Sequence, residues 1–391
     1  MSSSSTSRGT DSEGALLGAW AKEPAIDHHC HPLIRWPRDL SPRELRAVFT
    51  EAGDPEILDR HVPAVIAYRD AIRRLASELG CDPTEEAVLA ARKKVDPGEY
   101  ANRLLERTST GMMLLDTGYT GGGPFSLEEH ARDVHVPQRE VVRLETLAAP
   151  LVEAAPTAAD WFAAVRSALR EAVRGGAVGV KSIAAYRGGL RLRPVDPAQL
   201  KAAYADLHAR ARAGETLRIS GETLCHSLLY EAAEEIAQLN VPLQFHCGYG
   251  DNDEDLALSN PLGLRPLLVD PRYEGLRVVL LHCYPYHREA AFLCSVYRDV
   301  YMDLSLTLPL AGLDGKRAMR EALGLCPWTK LLYASDASRL PEIYFVGAAL
   351  HREAMAGAFG EFVDHGMLTH DEAVAAGVEV LSGNARQVYR L

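Results

Sequence analysis

The chain has 391 residues, 47% of them hydrophobic, and a formal net charge of −11. This length allows a large core, and an α/β barrel can use it as one domain. The sequence contains no lysine-arginine cluster of the kind that follows phosphates, which argues against nucleic acid as a partner. It also lacks a run of about 18 apolar residues, so we expect no membrane contact.

The chain begins with a serine-rich segment that lacks the apolar centre of a signal peptide. We predict a disordered tail over residues 1–20 because this composition cannot form a core. The seven cysteines are scattered, without C-x-x-C spacing, which predicts reduced thiols and a cytoplasmic location. We interpret Cys30, Cys247 and Cys283, each beside a histidine, as packing residues.

The stretch AIDHHCHPLI, residues 25–34, contains three histidines in four positions. Alternate side chains of a strand point to the same face. Asp27, His29 and His31 would then share one face, and His28 and Cys30 the opposite one. Two imidazoles on one face can bind one metal ion, although an H-x-H pair is also common without a metal.

After this strand, residues 38–108 have the period of charged amphipathic helices, interrupted by Asp-Pro breaks. We interpret them as a helical insertion. Because the loops that follow barrel strands form the active-site face, the insertion is predicted to be a lid or a dimer contact. A second copy of the chain is therefore a candidate partner.

The rest of the chain alternates short apolar runs with amphipathic helices. Alternating strands and helices indicate parallel βαβ units, and eight strands indicate a closed barrel. We predict an α/β fold, a (β/α)8 TIM-like barrel over residues 21–391 with the helical insertion after strand one. The eight predicted strands lie in AIDHHCH, GMMLLDTG, EVVRLETL, AVGVKSIAAY, VPLQFHCG, LRVVLLHCY, DVYMDLSL and KLLYASDAS.

Polar residues lie at the ends of these strands, where barrel enzymes place their active sites. Five of them are of types that suit zinc, and also manganese, iron or cobalt. Singly, each could be a buried hydrogen-bonded residue or, for the aspartate, a helix cap. Together they predict a metal site. The five are His29, His31, His246, His282 and Asp336; the other strand-end residues are Asp116, Arg143, Glu145, Lys181 and Asp303.

At these residues the sequence resembles the amidohydrolase superfamily of metal-dependent hydrolases. Longer phrases, GVKSIAAYRGGL, FHCGYGDNDEDLALSNPLGLRPLL and LLYASDASRLPEIYFVGAALHR, resemble the amidohydrolase-2 group. Within this group they are most similar to the domain fused to glutamine-synthetase-like domains in nodulin- and FluG-type proteins. The resemblance covers about residues 24–391, and we expect no attached synthetase domain. It implies that His29 and His31 are ligands and that His28 is not.

The resemblance leaves the number of metal ions open. In one form, His29, His31, His246 and Asp336 hold one ion, and His282 acts as an acid/base or contacts the substrate. In the other, a carbamylated Lys181 bridges two ions, with His246 and His282 on the second. An unmodified lysine ammonium cannot bind a metal and would instead hold a substrate carboxylate or pair with an acid.

The resemblance implies hydrolysis of an amide, lactam, lactone or similar bond by water that the metal activates. Asp336 would accept the proton of that water, and His282 would polarise the carbonyl. Arg143 and Arg187 are candidates for holding a substrate carboxylate, although Arg143 could equally form a structural ion pair with Glu145 or another acid.

We also assign Tyr186 and Asp116 to the substrate site of this small-molecule enzyme. The loop GYGDND after strand five lacks a P-loop lysine, so we do not interpret it as a phosphate site. Two alternatives to hydrolysis are metal-dependent decarboxylation on the same barrel and a non-catalytic binding barrel.

Overall fold

A computed structural model describes residues 9–35, 39–119 and 123–391. The strands of these residues are β1 (Ala25–Cys30), β2 (Thr110–Asp116), β3 (Gln138–Arg143), β4 (Gly179–Ser182), β5 (Leu243–Cys247), β6 (Val278–His282) and β7 (Val300–Met302). The helices are α1 (Gly9–Trp20), α2 (Pro42–Arg46), α3 (Ile66–Leu79), α4 (Glu85–Arg92), α5 (Pro97–Arg107), α6 (Leu127–Asp133), α7 (Leu144–Ala148), α8 (Ala158–Arg174), α9 (Ala184–Arg187), α10 (Pro197–Arg212), α11 (Glu222–Leu239), α12 (Arg265–Val269), α13 (His287–Val296), α14 (Thr307–Ala311), α15 (Leu313–Leu323), α16 (Pro341–Asp364), α17 (His370–Val378) and α18 (Asn384–Tyr389).

The chain divides into two compact units. Of the described residues, the first unit contains 9–35, 39–115, 123–138 and 303–387, and the second contains 116–119, 139–302 and 388–391. In the first unit β1 pairs with β2 in parallel. In the second unit β3, β4, β5, β6 and β7 pair in that order, all in parallel. The predicted α/β class and seven of the eight predicted strands are confirmed.

The eighth predicted strand, in KLLYASDAS, is not a regular strand in the structure. The segment still lies beside β1, because Asp336 N donates to His29 O and His31 N donates to Ala337 O. Asp336 has a φ of 50° and Arg339 a φ of 69°. A left-handed backbone interrupts the extended conformation that a continuous strand needs, which is why the segment follows β1 without forming a ladder.

The predicted disordered tail differs from the structure over its second part. Residues 9–20 form α1, whose Leu16 and Trp20 side chains are completely buried, and residues 1–8 lie outside the described part. The Trp20 ring lies edge-on to Phe359 of α16. Because the first residues are rich in serine, the sequence did not indicate this short helix. The helix is stabilised by packing on α16 rather than by its own helix propensity.

Helices α2 to α5 occupy the predicted insertion between β1 and β2. They are attached to α16 by ion pairs at two points along it: Arg92 Nε lies 2.5 Å from Glu342 in a buried pair, and Arg74 lies 2.6 Å from Glu353. These contacts fix the insertion within the first unit. Its role as a lid or as a dimer contact stays a prediction.

The strands of the second unit are surrounded by apolar residues. Every residue of β4, β5 and β6 is buried, as expected for parallel strands covered on both faces. Helices α8 and α11 pack against each other, and the buried Trp161 of α8 donates its indole N–H to Ala148 O. Within the described ranges, none of the helices has the length and apolar character needed to cross a bilayer.

Candidate functional site

In the first unit, two of the three histidines of β1 and the segment that follows it converge on one carboxylate. His29 Nε2 lies 3.0 Å and His31 Nε2 3.4 Å from the same oxygen, Asp336 Oδ1. The two imidazole rings are 5.2 Å apart and nearly perpendicular. All three side chains are at most 10% exposed. The structure thus brings together the predicted H-x-H pair and the predicted strand-eight aspartate.

The backbone around this cluster is fixed from both sides. Asp27 Oδ1 accepts a hydrogen bond of 2.9 Å from Ser335 N, next to Asp336. Burial raises the pKa of Asp27 to about 7, while the Ser335 hydrogen bonds act in the opposite direction. Tyr344 donates its hydroxyl to His31 O. The left-handed φ of Asp336, rare for a residue that is not glycine, turns this side chain out of the strand path.

These donor atoms fit a divalent metal. Neutral imidazole nitrogens and one carboxylate are the ligands that zinc takes in proteins, with metal–ligand distances of about 2.0–2.2 Å. Ligands of one ion lie within about 4 Å of each other, and each of the two imidazole nitrogens lies within this distance of Asp336 Oδ1. A buried carboxylate beside two imidazole nitrogens is an arrangement that a bound cation would stabilise.

His28, assigned from the sequence to the opposite face, has a partner that we did not predict. Its Nε2 lies 2.9 Å from Asp303 Oδ2, and both side chains are fully buried. Asp303 Oδ1 also accepts hydrogen bonds from Ser305 N and Oγ. The strand-end aspartate therefore belongs to a structural pair. The signal that could have found it is a buried histidine facing away from the H-x-H pair, which requires an acid.

In the second unit, His246 and His282 are neighbours at the ends of β5 and β6, with ring centroids 4.6 Å apart. The Tyr186 ring lies on the His246 ring at 4.4 Å. His282 and the following Cys283 both have left-handed backbones, with φ values of 66° and 59°. This bend at the end of β6 is a strained conformation of the kind that is concentrated at functional sites.

A carboxylate that we did not predict lies against His246. Glu254 Oε2 is 3.7 Å from His246 Nε2, and the Glu254 side chain is only 3% exposed. Burial raises the pKa of Glu254 to about 8, and the neighbouring acids Asp251 and Asp255 act in the same direction. The sequence shows Glu254 only as one of several acids in a loop. Because a loop has no regular period, the sequence does not indicate which of these side chains points inward.

Asp116, Arg143 and Lys181 form a buried charged cluster in the second unit. Asp116 Oδ2 accepts hydrogen bonds from Arg143 at 2.6 and 3.1 Å and lies 3.6 Å from Lys181 Nζ. A side chain at Gly118 would clash with Arg143, at 2.3 Å. The glycine therefore leaves room for the guanidinium. The structural ion pair that was one interpretation of Arg143 is present, with Asp116 rather than Glu145 as its acid.

Glu145 has a structural role. Its carboxylate accepts hydrogen bonds from Ser182 Oγ at 2.6 Å and from Ile183 N at 3.1 Å, at the end of β4. Burial raises its pKa, an effect that these hydrogen bonds and Arg143 oppose. The contact fixes the backbone immediately after Lys181.

Arg187 and Tyr186 line a cleft of about 450 Å³ that also contains several other charged side chains. Its guanidinium is 3.8 Å from Asp253 Oδ2, an oxygen to which Arg218 donates at 2.5 Å. Arg191 is exposed and lines the same cleft. Because Asp253 is shared, Arg187 retains donors that can face a bound anion.

Comparisons with known proteins found one curated relative and several solved structures that resemble the chain. The chain is 30% identical over 400 residues to the protein fluG of Emericella nidulans. This match covers 94% of the chain but 46% of fluG, so the chain spans less than half the length of that relative. The similarity is therefore to one part of fluG only.

Solved structures resemble the chain over nearly its whole length. A proposed metal-dependent hydrolase from Lactobacillus casei is 35% identical, with a TM-score of 0.85 over 96% of this chain and 97% of the other. Uronate isomerase from Thermotoga maritima has a TM-score of 0.72 over the full length of both chains but only 14% identity, a likeness of fold alone. The sequence profile described as Amidohydrolase matches residues 26–391. With the family profile spanning all the predicted site residues, the chain belongs to the amidohydrolase family.

Proposed function

We propose that this protein is a metal-dependent hydrolase that cleaves an amide, lactam, lactone or similar bond of a small substrate carrying a carboxylate. The observation that carries the proposal is the convergence of His29 Nε2 and His31 Nε2 on Asp336 Oδ1, at 3.0 and 3.4 Å. Family membership supports it, because the profile includes all three residues. We further propose that the fold is closed as a (β/α)8 barrel, with residues 331–339 in the position of the eighth strand.

His29, His31 and Asp336 would hold the metal, and the family resemblance adds His246 as a further ligand. Zinc suits these donors, and manganese or iron are alternatives. A bound zinc ion would lower the pKa of water from about 15.7 to about 7, which makes hydroxide available at neutral pH.

The protein's own groups would do the remaining work. Asp336 has a second carboxylate oxygen, which can accept a proton from the attacking water and pass it to the leaving group. His282, beside His246, can donate a hydrogen bond to the substrate carbonyl. Arg187, in the cleft that Tyr186 also lines, can hold the carboxylate of the substrate. Buried side chains around these groups limit access of bulk water, which strengthens each interaction.

Metal analysis and a substrate screen test this proposal. Purified protein is stripped with a chelator, reloaded with zinc or manganese, and incubated with N-acyl amino acids, γ-glutamyl amides and lactones. We expect hydrolysis that disappears on stripping and returns with the metal. Aromatic carboxylates in the same screen test the decarboxylase alternative, through release of carbon dioxide. A protein that binds no divalent metal at micromolar concentration would overturn the proposal and leave the non-catalytic binding barrel.

A further inference from the structure

The loop that follows β5, GYGDNDED over residues 248–255, contains four acids, and only one of them points inward. Asp251, Asp253 and Asp255 are exposed. Each also has a local role: Asp251 accepts from Asp253 N, Asp253 pairs with Arg218, and Asp255 accepts from Ala257 N. The side chain of Glu254, in contrast, is 3% exposed.

The loop is built so that Glu254 can reach His246. Glu254 Oε2 lies 3.7 Å from His246 Nε2, and both carboxylate oxygens of Glu254 are closed to solvent. A side chain at Gly250 would lie 1.8 Å from the Tyr186 hydroxyl and 3.1 Å from His246 Nε2. Only glycine at this position allows the loop backbone to pass so close to both rings.

His246 is therefore enclosed by two groups of different chemistry. Tyr186 covers the face of its ring at 4.4 Å, and the Glu254 carboxylate lies at one of its two nitrogens, Nε2. A neutral imidazole carries its proton on one nitrogen and a lone pair on the other. An ionised Glu254 carboxylate beside Nε2 favours the proton there, since the N–H can donate to it, whereas a protonated Glu254 would itself donate to Nε2. With the proton on Nε2, the lone pair is on Nδ1, where it can bind a metal.

We propose that Glu254 is a positioning residue that holds His246 in the Nε2–H form and fixes its ring, so that Nδ1 is presented as the metal ligand. The inference rests on the proposed function, which makes His246 a ligand. Metal-binding histidines regularly donate their other N–H to a carboxylate, and loss of that partner lowers metal affinity by about 10–100-fold. The present separation of 3.7 Å needs a shift of about half an ångström to become a hydrogen bond.

The first test uses the metal-free protein, so it does not depend on the proposed function. Protein labelled with ¹⁵N in its histidines is compared with Glu254→Ala, and the His246 signals are assigned by their loss in His246→Gln. At pH 9, where Glu254 with its pKa of about 8 is mostly ionised, we expect Nε2–H in the wild type and a mixture of both forms in Glu254→Ala. Asn252→Ala, at an exposed position of the same loop, is the control and should leave the signals unchanged. Identical His246 signals with and without Glu254 would overturn the proposal.

The second test measures zinc affinity by competition with a chromophoric chelator. Glu254→Ala should raise the Kd about 10–100-fold, and Glu254→Gln should stay within about threefold of the wild type, because its amide oxygen still accepts the N–H. Glu254→Leu replaces the alanine variant if that one unfolds. A Gln variant as weak as the Ala variant would contradict positioning and indicate a direct ligand. A wild type that binds no zinc would overturn the proposed function, whereas the ¹⁵N result would still decide the role of Glu254.

Discussion

The two units contain carboxylates with opposite surroundings. In the first unit, one oxygen of Asp336 faces two imidazoles, His29 at 3.0 Å and His31 at 3.4 Å. In the second unit, one oxygen of Asp116 faces two cations, Arg143 at 2.6 Å and Lys181 at 3.6 Å. An added metal cation would stabilise the Asp336 cluster. The Asp116 cluster already contains positive charge, from Arg143 and Lys181. A polar residue at a strand end is therefore not enough to identify a ligand, because its charged neighbours decide what it can bind.

Lys181 is the residue to which this difference matters most. The family resemblance allows it to be a carbamate that bridges two ions, with a negative charge. The ammonium form instead gains from Asp116, whose Oδ2 lies 3.6 Å from Nζ. A carbamate would add a second negative charge beside a buried carboxylate, which is unfavourable. This neighbour favours the ammonium in the metal-free protein, and the number of metal ions stays a prediction with two forms: one ion with an unmodified Lys181, or two ions bridged by its carbamate.

The largest expected effect on metal content and activity is that of a substitution at Asp336. It tests whether the two carboxylates differ in what they bind. Asp336→Ala removes the carboxylate whose Oδ1 lies 3.0 Å from His29 Nε2 and 3.4 Å from His31 Nε2, so bound metal should fall well below one per chain. We expect kcat/KM to drop by about a thousandfold or more. Metal content is measured after gel filtration, together with activity on a substrate found in the screen. Asp314→Ala, at an exposed position, is the matched control. An alanine variant that keeps both metal and activity would contradict the assignment of Asp336.

The second prediction sharpens the comparison at Lys181. Lys181→Met removes the ammonium but keeps the side-chain volume. If the lysine is an unmodified cation, the metal content should stay at one per chain, and KM for a carboxylate substrate should rise about tenfold. Lys201→Met, at an exposed position on α10, is the control. Two ions in the wild type that fall to one or none in Lys181→Met, with carbon dioxide on the lysine by native mass, would restore the carbamate form.

Much of the fold could be predicted because the strands are short, apolar and separated by clear helices. The burial of β6 on both faces makes it an apolar run, VVLL, that ends in His282, whereas the equally buried β4 and β5 contain polar residues among apolar ones. Strand alternation also separated His29 and His31 from His28 correctly. The irregular backbone of the eighth segment could not be predicted. The left-handed φ of Asp336 depends on tertiary contacts, and the sequence pattern does not indicate it.

The contacts that were missed are those whose partners are distant in the chain or lie in irregular loops. His28 and Asp303 are separated by 275 positions (303 − 28) and meet in the interior. Glu254 belongs to a loop whose direction is set by Gly250 passing close to Tyr186 and His246. Periodicity indicates which face of a strand is buried, but it does not indicate which acid will meet a buried histidine.

The smallest effect concerns His351 on α16, a buried histidine of the first unit that lies edge-on to Tyr333 at 4.7 Å. Burial lowers the pKa of His351 to about 3, whereas it is about 6.5 in an unfolded chain. Between these values the unfolded state binds a proton that the folded state does not. The free energy of unfolding should therefore fall as the pH drops below about 6.5, with no contribution from this residue above it.

His351→Leu should remove this loss. Neither ring nitrogen of His351 has a hydrogen-bond partner among the described residues, so leucine deletes the titration without breaking a hydrogen bond. Urea unfolding is measured from pH 7.5 to 5.0. Relative to wild type, the variant should gain up to about 1.4 kcal/mol per pH unit below 6.5, or about 2 kcal/mol at pH 5.0. Other titrating groups cancel in this difference. His135→Leu, at an exposed position, should show no such slope. A difference between His351→Leu and wild type that does not change with pH would mean that His351 takes up its proton in the folded state, and that the interior around it is more polar than its burial indicates.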